Sequence, residues 1–148
     1  MKYALDTNVV FRYLKNESPS VQSIDSALAG NHKLYIPQIV DYEVRRGFKL
    51  MRQPSHRKEL VYKLLTKRCP IIEMDTVIWE RAIDVYKELY RKGFTVGELD
   101  IFIAALCLTH GLVFVTNNIK DFENIHGLEI MDWTQTPYLY QGGAAWLT

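Results

Sequence analysis

Lys2-Tyr3-Ala4-Leu5-Asp6-Thr7-Asn8-Val9-Val10 is the stretch from which the rest of the chain can be read. Tyr3, Ala4 and Leu5 make a short apolar run that stops at an acid, and helical spacing begins two residues later. A strand over residues 2–5 followed at once by a helix over 8–14 is the opening of a βα unit. The same alternation recurs down the chain. Residues 34–36 read as a second strand stopped by Pro37, 71–73 as a short third, 113–115 as a buried fourth and 129–131 as an edge strand. Strands alternating with helices imply an α/β fold with a mostly parallel sheet and right-handed crossovers.

The helices between the strands carry their own punctuation. Ser18 reads as a cap with Pro19 at the first helical position, followed by an apolar stripe of Val21, Ile24 and Leu28 up to Gly30. Val40, Val44, Phe48 and Met51 mark the inner face of a helix that Pro54 ends. Ser55 opens the next, with Leu60, Val61, Leu64 and Leu65 expected inward. Asp75 caps a helix carrying Val77, Ile78, Ala82, Val85 and Leu89, and Gly93 ends it. Residues 101–108 are apolar nearly all round, which marks a buried central helix, closed by His110-Gly111.

Composition narrows the class. The chain has 148 residues, a net charge of +1, 48% hydrophobic and 24% charged residues. These values fit one ordinary globular domain and exclude a disordered or collagen-like chain. No apolar run approaches the ~20 residues of a membrane span, and Asp6 comes too early for a signal peptide. Cys69 and Cys107 cannot form a disulfide framework, and Cys107 sits in an apolar run like a core residue, so a reducing cytoplasm is expected. The charge is uneven. Residues 43–68 hold nine Lys/Arg against two acids, a net of +7, which leaves −6 on the rest. A basic block in an otherwise acidic chain suggests an anionic partner or a solvated helical face.

In open parallel sheets, ligands sit beyond the carboxyl ends of the strands. Asp6 follows the first strand, Glu43 lies early in the helix after the second, and Thr116, Asn117 and Asn118 follow the fourth. Asp100 joins them if the first turn of its helix faces the same edge. Each has a purely structural reading as well: Asp6 as a helix cap, Asp100 as a first-turn charge, Glu43 as a solvated helix residue, Asn118 as a turn residue with positive φ. Taken together they point elsewhere. Three carboxylates in one cleft repel by about 4 kcal/mol per pair at ~4 Å and an effective dielectric near 20, so protons or a cation must neutralise them. The four histidines show no zinc spacing. Oxygen-only ligands favour Mg²⁺, with Mn²⁺ able to substitute, and such a centre activates water for phosphodiester hydrolysis. Arg45, Lys49 and Arg52 are spaced i, i+4, i+7 on one helical face and, with Arg46, are candidate contacts to a phosphate backbone.

At this point the sequence resembles a known family. Tyr3 to Val10 looks like the opening of PIN-domain nucleases, and Val40-Asp41-Tyr42-Glu43-Val44 places Glu43 at their second acidic position. Glu98-Leu99-Asp100-Ile101-Phe102-Ile103-Ala104-Ala105 places Asp100 at the third. Val115-Thr116-Asn117-Asn118-Ile119-Lys120-Asp121-Phe122 is similar to the fourth motif, and Gly127 to Trp133 to the family's ending. The nearest group is the VapC-type toxins of bacterial toxin–antitoxin pairs. The resemblance covers residues 1–133 as one three-layer α/β/α domain and leaves 134–148, with Tyr138, Tyr140 and Trp146, as a tail without assignment. It implies a Mg²⁺-dependent cytoplasmic endoribonuclease that cuts structured RNA, tRNA foremost, as a homodimer held in check by a cognate antitoxin. Asp6, Glu43 and Asp100 carry over as metal-site acids. The fourth position is Asn118 rather than an acid, so one metal is expected, with Asp121, Thr116 and Thr7 as supporting groups and Asp121 reaching the metal through water. The apolar pairs Ile24/Leu28 and Leu60/Leu64 are the sequence features that suggest pairing. A non-catalytic RNA- or protein-binding PIN-like module is the first alternative. A haloacid-dehalogenase-like phosphatase is the second, and it would need a second Asp where Asn8 stands.

Overall fold

A computed structural model describes residues 1–135; the tail aromatics Tyr138, Tyr140 and Trp146 lie outside the described residues. The elements run β1 (Lys2–Leu5), α1 (Thr7–Leu14), α2 (Ser20–Ala29), β2 (Lys33–Pro37), α3 (Gln38–Leu50), α4 (His56–Arg68), β3 (Ile71–Ile72), α5 (Thr76–Lys92), α6 (Glu98–His110), β4 (Val113–Val115), α7 (Ile119–Phe122) and β5 (Ile130–Met131). The sheet order is β3-β2-β1-β4-β5, with every pairing parallel. Tyr3 lies beside Leu34 on one side and Val113 on the other, so the opening strand is the centre of the sheet. The chain winds outward from β1 through β2 to β3, then returns to build β4 and β5 on the other side. With right-handed crossovers, α1–α4 cover one face and α5–α7 the other, in accord with the packing of α1 against α2, α3 and α4, and of α6 against α5 and α7. This is the expected three-layer architecture.

The core explains why the strands can be so short. Ala4, Leu5, Phe114 and Val115 are fully buried under helices on both faces, as parallel strands must be. From α6, Ile101 and Ile103 through Cys107 are buried, which is the expected central helix. Local punctuation behaves as read. The Ser55 hydroxyl accepts from Lys58 N–H and the Asp75 carboxylate from Ile78 N–H, while Gly93 (φ 77°) and Gly111 (φ 63°) close their helices in the left-handed region.

The structure corrects several inner faces. On α4, Leu60 and Leu64 are 58% and 52% exposed; Leu65 is buried as expected, Val61 is half-buried, and Tyr62 is the unexpected inward residue. Helix α4 packs against α1 and meets α3 through the Tyr62 hydroxyl, which donates to Asp41 Oδ1 at 2.7 Å, and through the Tyr62 ring, edge-to-face on Phe48 at 5.8 Å. On α2 the buried line is Ser20, Ser23, Ile24 and Ala27, with Val21 and Leu28 only half covered. The helix begins at Ser20, and Pro19 rather than Ser18 is its cap residue, without a side-chain hydrogen bond. Val77 is exposed. Helix α3 stops at Leu50, so Met51 is its cap and Arg52 lies beyond it, off the face assigned to Arg45 and Lys49.

Candidate active site

β1 and β4 are neighbours whose following segments diverge to opposite faces, which opens a crevice at their carboxyl ends. Asp6 sits at its floor. Its N–H donates to Val115 O at 2.9 Å, carrying the ladder one residue beyond the strand. Its carboxylate is 5% exposed and held from three sides. Thr116 Oγ1 donates to Oδ2 at 2.6 Å, Thr7 N–H donates to Oδ1 at 2.7 Å, and Asn8 Nδ2 donates to Oδ2 at 3.4 Å. The capping reading of Asp6 is therefore correct as geometry and incomplete as an account, because Oδ2 also accepts from Thr116, directly after β4.

Thr116 is itself fully buried, and its hydroxyl accepts from Asn118 N–H at 3.0 Å. That bond orients the hydroxyl so that its proton goes to Asp6. Thr7 links a second acid in the same manner. Its N–H serves Asp6, and its hydroxyl donates to Glu43 Oε1 at 2.9 Å. The other oxygen of Glu43 faces Arg46 NH2 at 3.9 Å, and Arg46 in turn lies over the Tyr42 ring. Glu43 is thus a tethered member of the crevice rather than a solvated helix residue.

Asp100 enters from the first turn of α6, whose N-terminal end faces the same sheet edge. Burial raises its pKa to about 6, and the charges of Asp6, Asp121 and Glu43 push in the same direction. A first-turn carboxylate would ordinarily be favoured by the helix dipole; burial, with the neighbouring acids adding to it, works against that benefit. Asp6 is likewise raised to about 6, first by burial, with Glu43 adding to it; the hydrogen bonds from Thr116, Thr7 and Asn8 act against the rise. Cys107 lies fully buried beneath, its thiol pushed up by burial and by the charge of Asp6.

The fourth position departs from the positive-φ reading: Asn118 has φ −88° and precedes the short helix α7. Its side chain is exposed, as is Asp121, whose N–H donates to Asn118 O at 3.1 Å. Among the described residues, no three acids, histidines or cysteines converge closely enough to enclose a metal by themselves. Asn8 Oδ1 and Asn117 Oδ1, both buried without a hydrogen-bond partner, add acceptors that coordinated water can satisfy. Asn8 was legible only as the absence of a second Asp. Its part in holding Asp6 has no signature in spacing.

The basic helix splits. Arg45 faces the buried Asp41 at 3.6 Å and Arg46 is engaged with Glu43 and Tyr42. Lys49 shares a cavity of about 430 Å³ with Arg45, Tyr62 and Lys63. Asp41 went unmarked in the sequence because a buried acid and a solvated one look alike until the helix that covers it is placed.

Several known proteins are similar to this chain in sequence and fold. The PIN-domain family profile matches residues 3–128. A tRNA(fMet)-specific endonuclease VapC from Shigella flexneri is 30% identical over 134 residues, covering 90% of this chain and 99% of that one. A chain of a DNA-bound VapBC structure from Salmonella typhimurium is 32% identical with a TM-score of 0.78, over 90% of this chain and 98% of the other. A VapBC2 structure from Rickettsia felis, bound to a promoter DNA fragment, superposes with a TM-score of 0.82 at 25% identity, over 90% and 99%. The chain belongs to the PIN-domain family of nucleases, in its VapC group of ribonucleases. PIN-domain nucleases generally depend on divalent metal, which accords with the acid-rich crevice.

Proposed function

We propose that this chain is the toxin of a type II toxin–antitoxin pair, a Mg²⁺-dependent endoribonuclease that hydrolyses phosphodiester bonds in structured RNA, with tRNA as the leading substrate class. The observation that carries the reading is the crowding of Asp6, Glu43, Asp100 and Asp121 at one sheet edge, with two carboxyl groups raised to about 6. A fold holds such a cluster at neutral pH when a cation and its waters offset the charge. The names of the relatives support the tRNA class and a cognate antitoxin.

In this reading Asp6, Glu43 and Asp100 hold the metal, and Asn118 offers an uncharged oxygen. Bound Mg²⁺ supplies a lowered pKa for water and charge neutralisation at the cleaved phosphate. Thr116 and Thr7 fix the carboxylates of Asp6 and Glu43, so that the outward oxygens present one geometry. Asp121, on the first turn after Asn118, orients water at the rim. Lys49, with Arg45 and Arg46 beside it and Arg52 beyond the end of α3, steers the RNA backbone toward the crevice.

The test is cleavage of total tRNA by purified protein with Mg²⁺, with EDTA, and in the Asp6→Asn and Asp100→Asn variants. Cleavage that requires metal and both acids supports the reading. A folded Asp100→Asn variant with full activity removes the shared site, and RNA binding without cleavage under all metal conditions favours the non-catalytic alternative.

A further inference from the structure

Helix α3 carries Glu43 into the crevice and, next to it, an aromatic ring in water. Gln38, Tyr42, Arg45, Arg46 and Lys49, at i, i+4, i+7, i+8 and i+11, form its outer face. With the buried Asp41 they line an open hollow of about 410 Å³, within the roughly 300–1,000 Å³ of small-ligand sites. A lone exposed tyrosine needs no explanation, but this one is held in place. Arg46 lies one turn further on, and helical side chains lean toward the N-terminus. Its guanidinium comes back over the Tyr42 ring, 5.1 Å from the centroid, and Nη1 donates to the Tyr42 hydroxyl at 3.5 Å. The same guanidinium faces Glu43 Oε2 through Nη2 at 3.9 Å. One planar group thus spans from the acid to the ring and fixes the ring beside the crevice. Tyr42 is still 52% exposed with Arg46 in place.

The chemistry around the ring selects the ligand. Arg45, Arg46 and Lys49 surround it, within the segment 43–68 that carries a net charge of +7. Asp41, the acid in this wall, is already engaged by the Tyr62 hydroxyl and by Arg45. The Gln38 carbonyl accepts from Met74 N–H, so its amide nitrogen is the group it offers a ligand. Cations and N–H donors around one π-face match a nucleotide, with the base stacked on the ring and a phosphate on Lys49. A base inside a duplex has both faces covered by its neighbours, so only an unpaired nucleotide can use the ring. We infer that Tyr42, backed by Arg46, is a stacking platform for an unpaired RNA base flanking the cleaved phosphate, with Lys49 on the adjoining phosphate. The platform rests on the nuclease reading for its ligand and adds that the RNA entering the crevice is single-stranded, at a loop or an end.

Fluorescence anisotropy of a short labelled single-stranded RNA with the full chain in EDTA tests this without cleavage. Tyr42→Leu weakens binding by about 5- to 150-fold, the loss of one stacked base. Tyr42→Phe stays within about two-fold of wild type, because the ring is what stacks. The circular dichroism spectrum of both variants is unchanged, since the side chain is exposed. Stacking releases no counterion, so Tyr42→Leu leaves the slope of log affinity against log salt as it is, whereas Lys49→Ala lowers it by about one. A strand of the same length built of abasic residues binds wild type and Tyr42→Leu alike, and so does a fully paired duplex. Undiminished binding by Tyr42→Leu overturns the platform, as does a loss that persists on the abasic strand, a changed salt slope, or a wild type that binds no RNA. A wild type that cuts total tRNA with Mg²⁺ yet is indifferent to Tyr42→Leu overturns the platform alone. Binding that depends on Tyr42 in a wild type that never cuts supports the platform and overturns the nuclease reading instead.

Discussion

Asp6→Asn is expected to make the metal-free protein more stable at neutral pH while removing its cleavage activity. Asp6 moves from an ordinary 3.8 to about 6 on folding, so ionising it in the folded state costs about 3 kcal/mol once the pH is above both values. Because the folded pKa is the higher one, the stabilising contribution is fully present below pH 3.8 and is lost as pH rises through about 6. Asparagine carries no such charge. Its oxygen keeps the bond from Thr7 N–H, but its amide must donate toward Thr116 Oγ1, reversing the present 2.6 Å bond at a cost of about 1 kcal/mol. The net gain is about 2 kcal/mol near pH 7.5, or roughly 4–8 °C in Tm for a chain of this size. Urea denaturation of both proteins in EDTA at pH 4 and pH 7.5 measures it, with the variant's advantage appearing only at the higher pH. Adding Mg²⁺ stabilises the wild type and leaves the variant unchanged. A variant less stable than wild type at pH 7.5, or a difference that does not change with pH, would refute the claim that Asp6 is held ionised against its burial.

Three further outcomes follow from the same geometry. Thr116→Val removes the buried hydroxyl that lowers the pKa of Asp6, so the acidic limb of the pH–activity profile shifts upward; an unmoved limb returns Thr116 to a packing role. Asp121→Asn lowers cleavage less than Asp6→Asn, and Asn118→Asp raises Mn²⁺ occupancy by calorimetry; an Asp121→Asn variant as inactive as Asp6→Asn would make Asp121 a direct ligand. Lys49→Ala with Arg52→Ala flattens the dependence of RNA affinity on salt by about two counterions in log–log slope. Since Arg52 lies beyond the end of α3, Lys49→Ala alone is expected to account for at least half of that change, and an unchanged slope assigns the face to another partner.

What the sequence by itself determined was local. Caps at Ser55 and Asp75, glycine stops at Gly93 and Gly111, the all-apolar α6 and the acid directly after β1 each depend on a few neighbouring residues, and each stands as read. The tertiary structure decided which faces are covered and which groups meet. Leu60 and Leu64 satisfy helical periodicity yet face water, while Ser20 and Ser23 are buried, because burial depends on what packs above a helix rather than on its own pattern. Arg52 keeps its heptad-like spacing from Arg45, but α3 ends two residues before it. The bond from Thr116 to Asp6 joins residues 110 apart in the chain, and the burial that raises Asp6 and Asp100, with neighbouring acids adding to it, requires the end of β1 and the early turns of α3 and α6 to meet at one edge. Periodicity specifies an element from within it; contact between distant elements arises only when sheet order places β1 beside β4, and that order is a property of the whole fold.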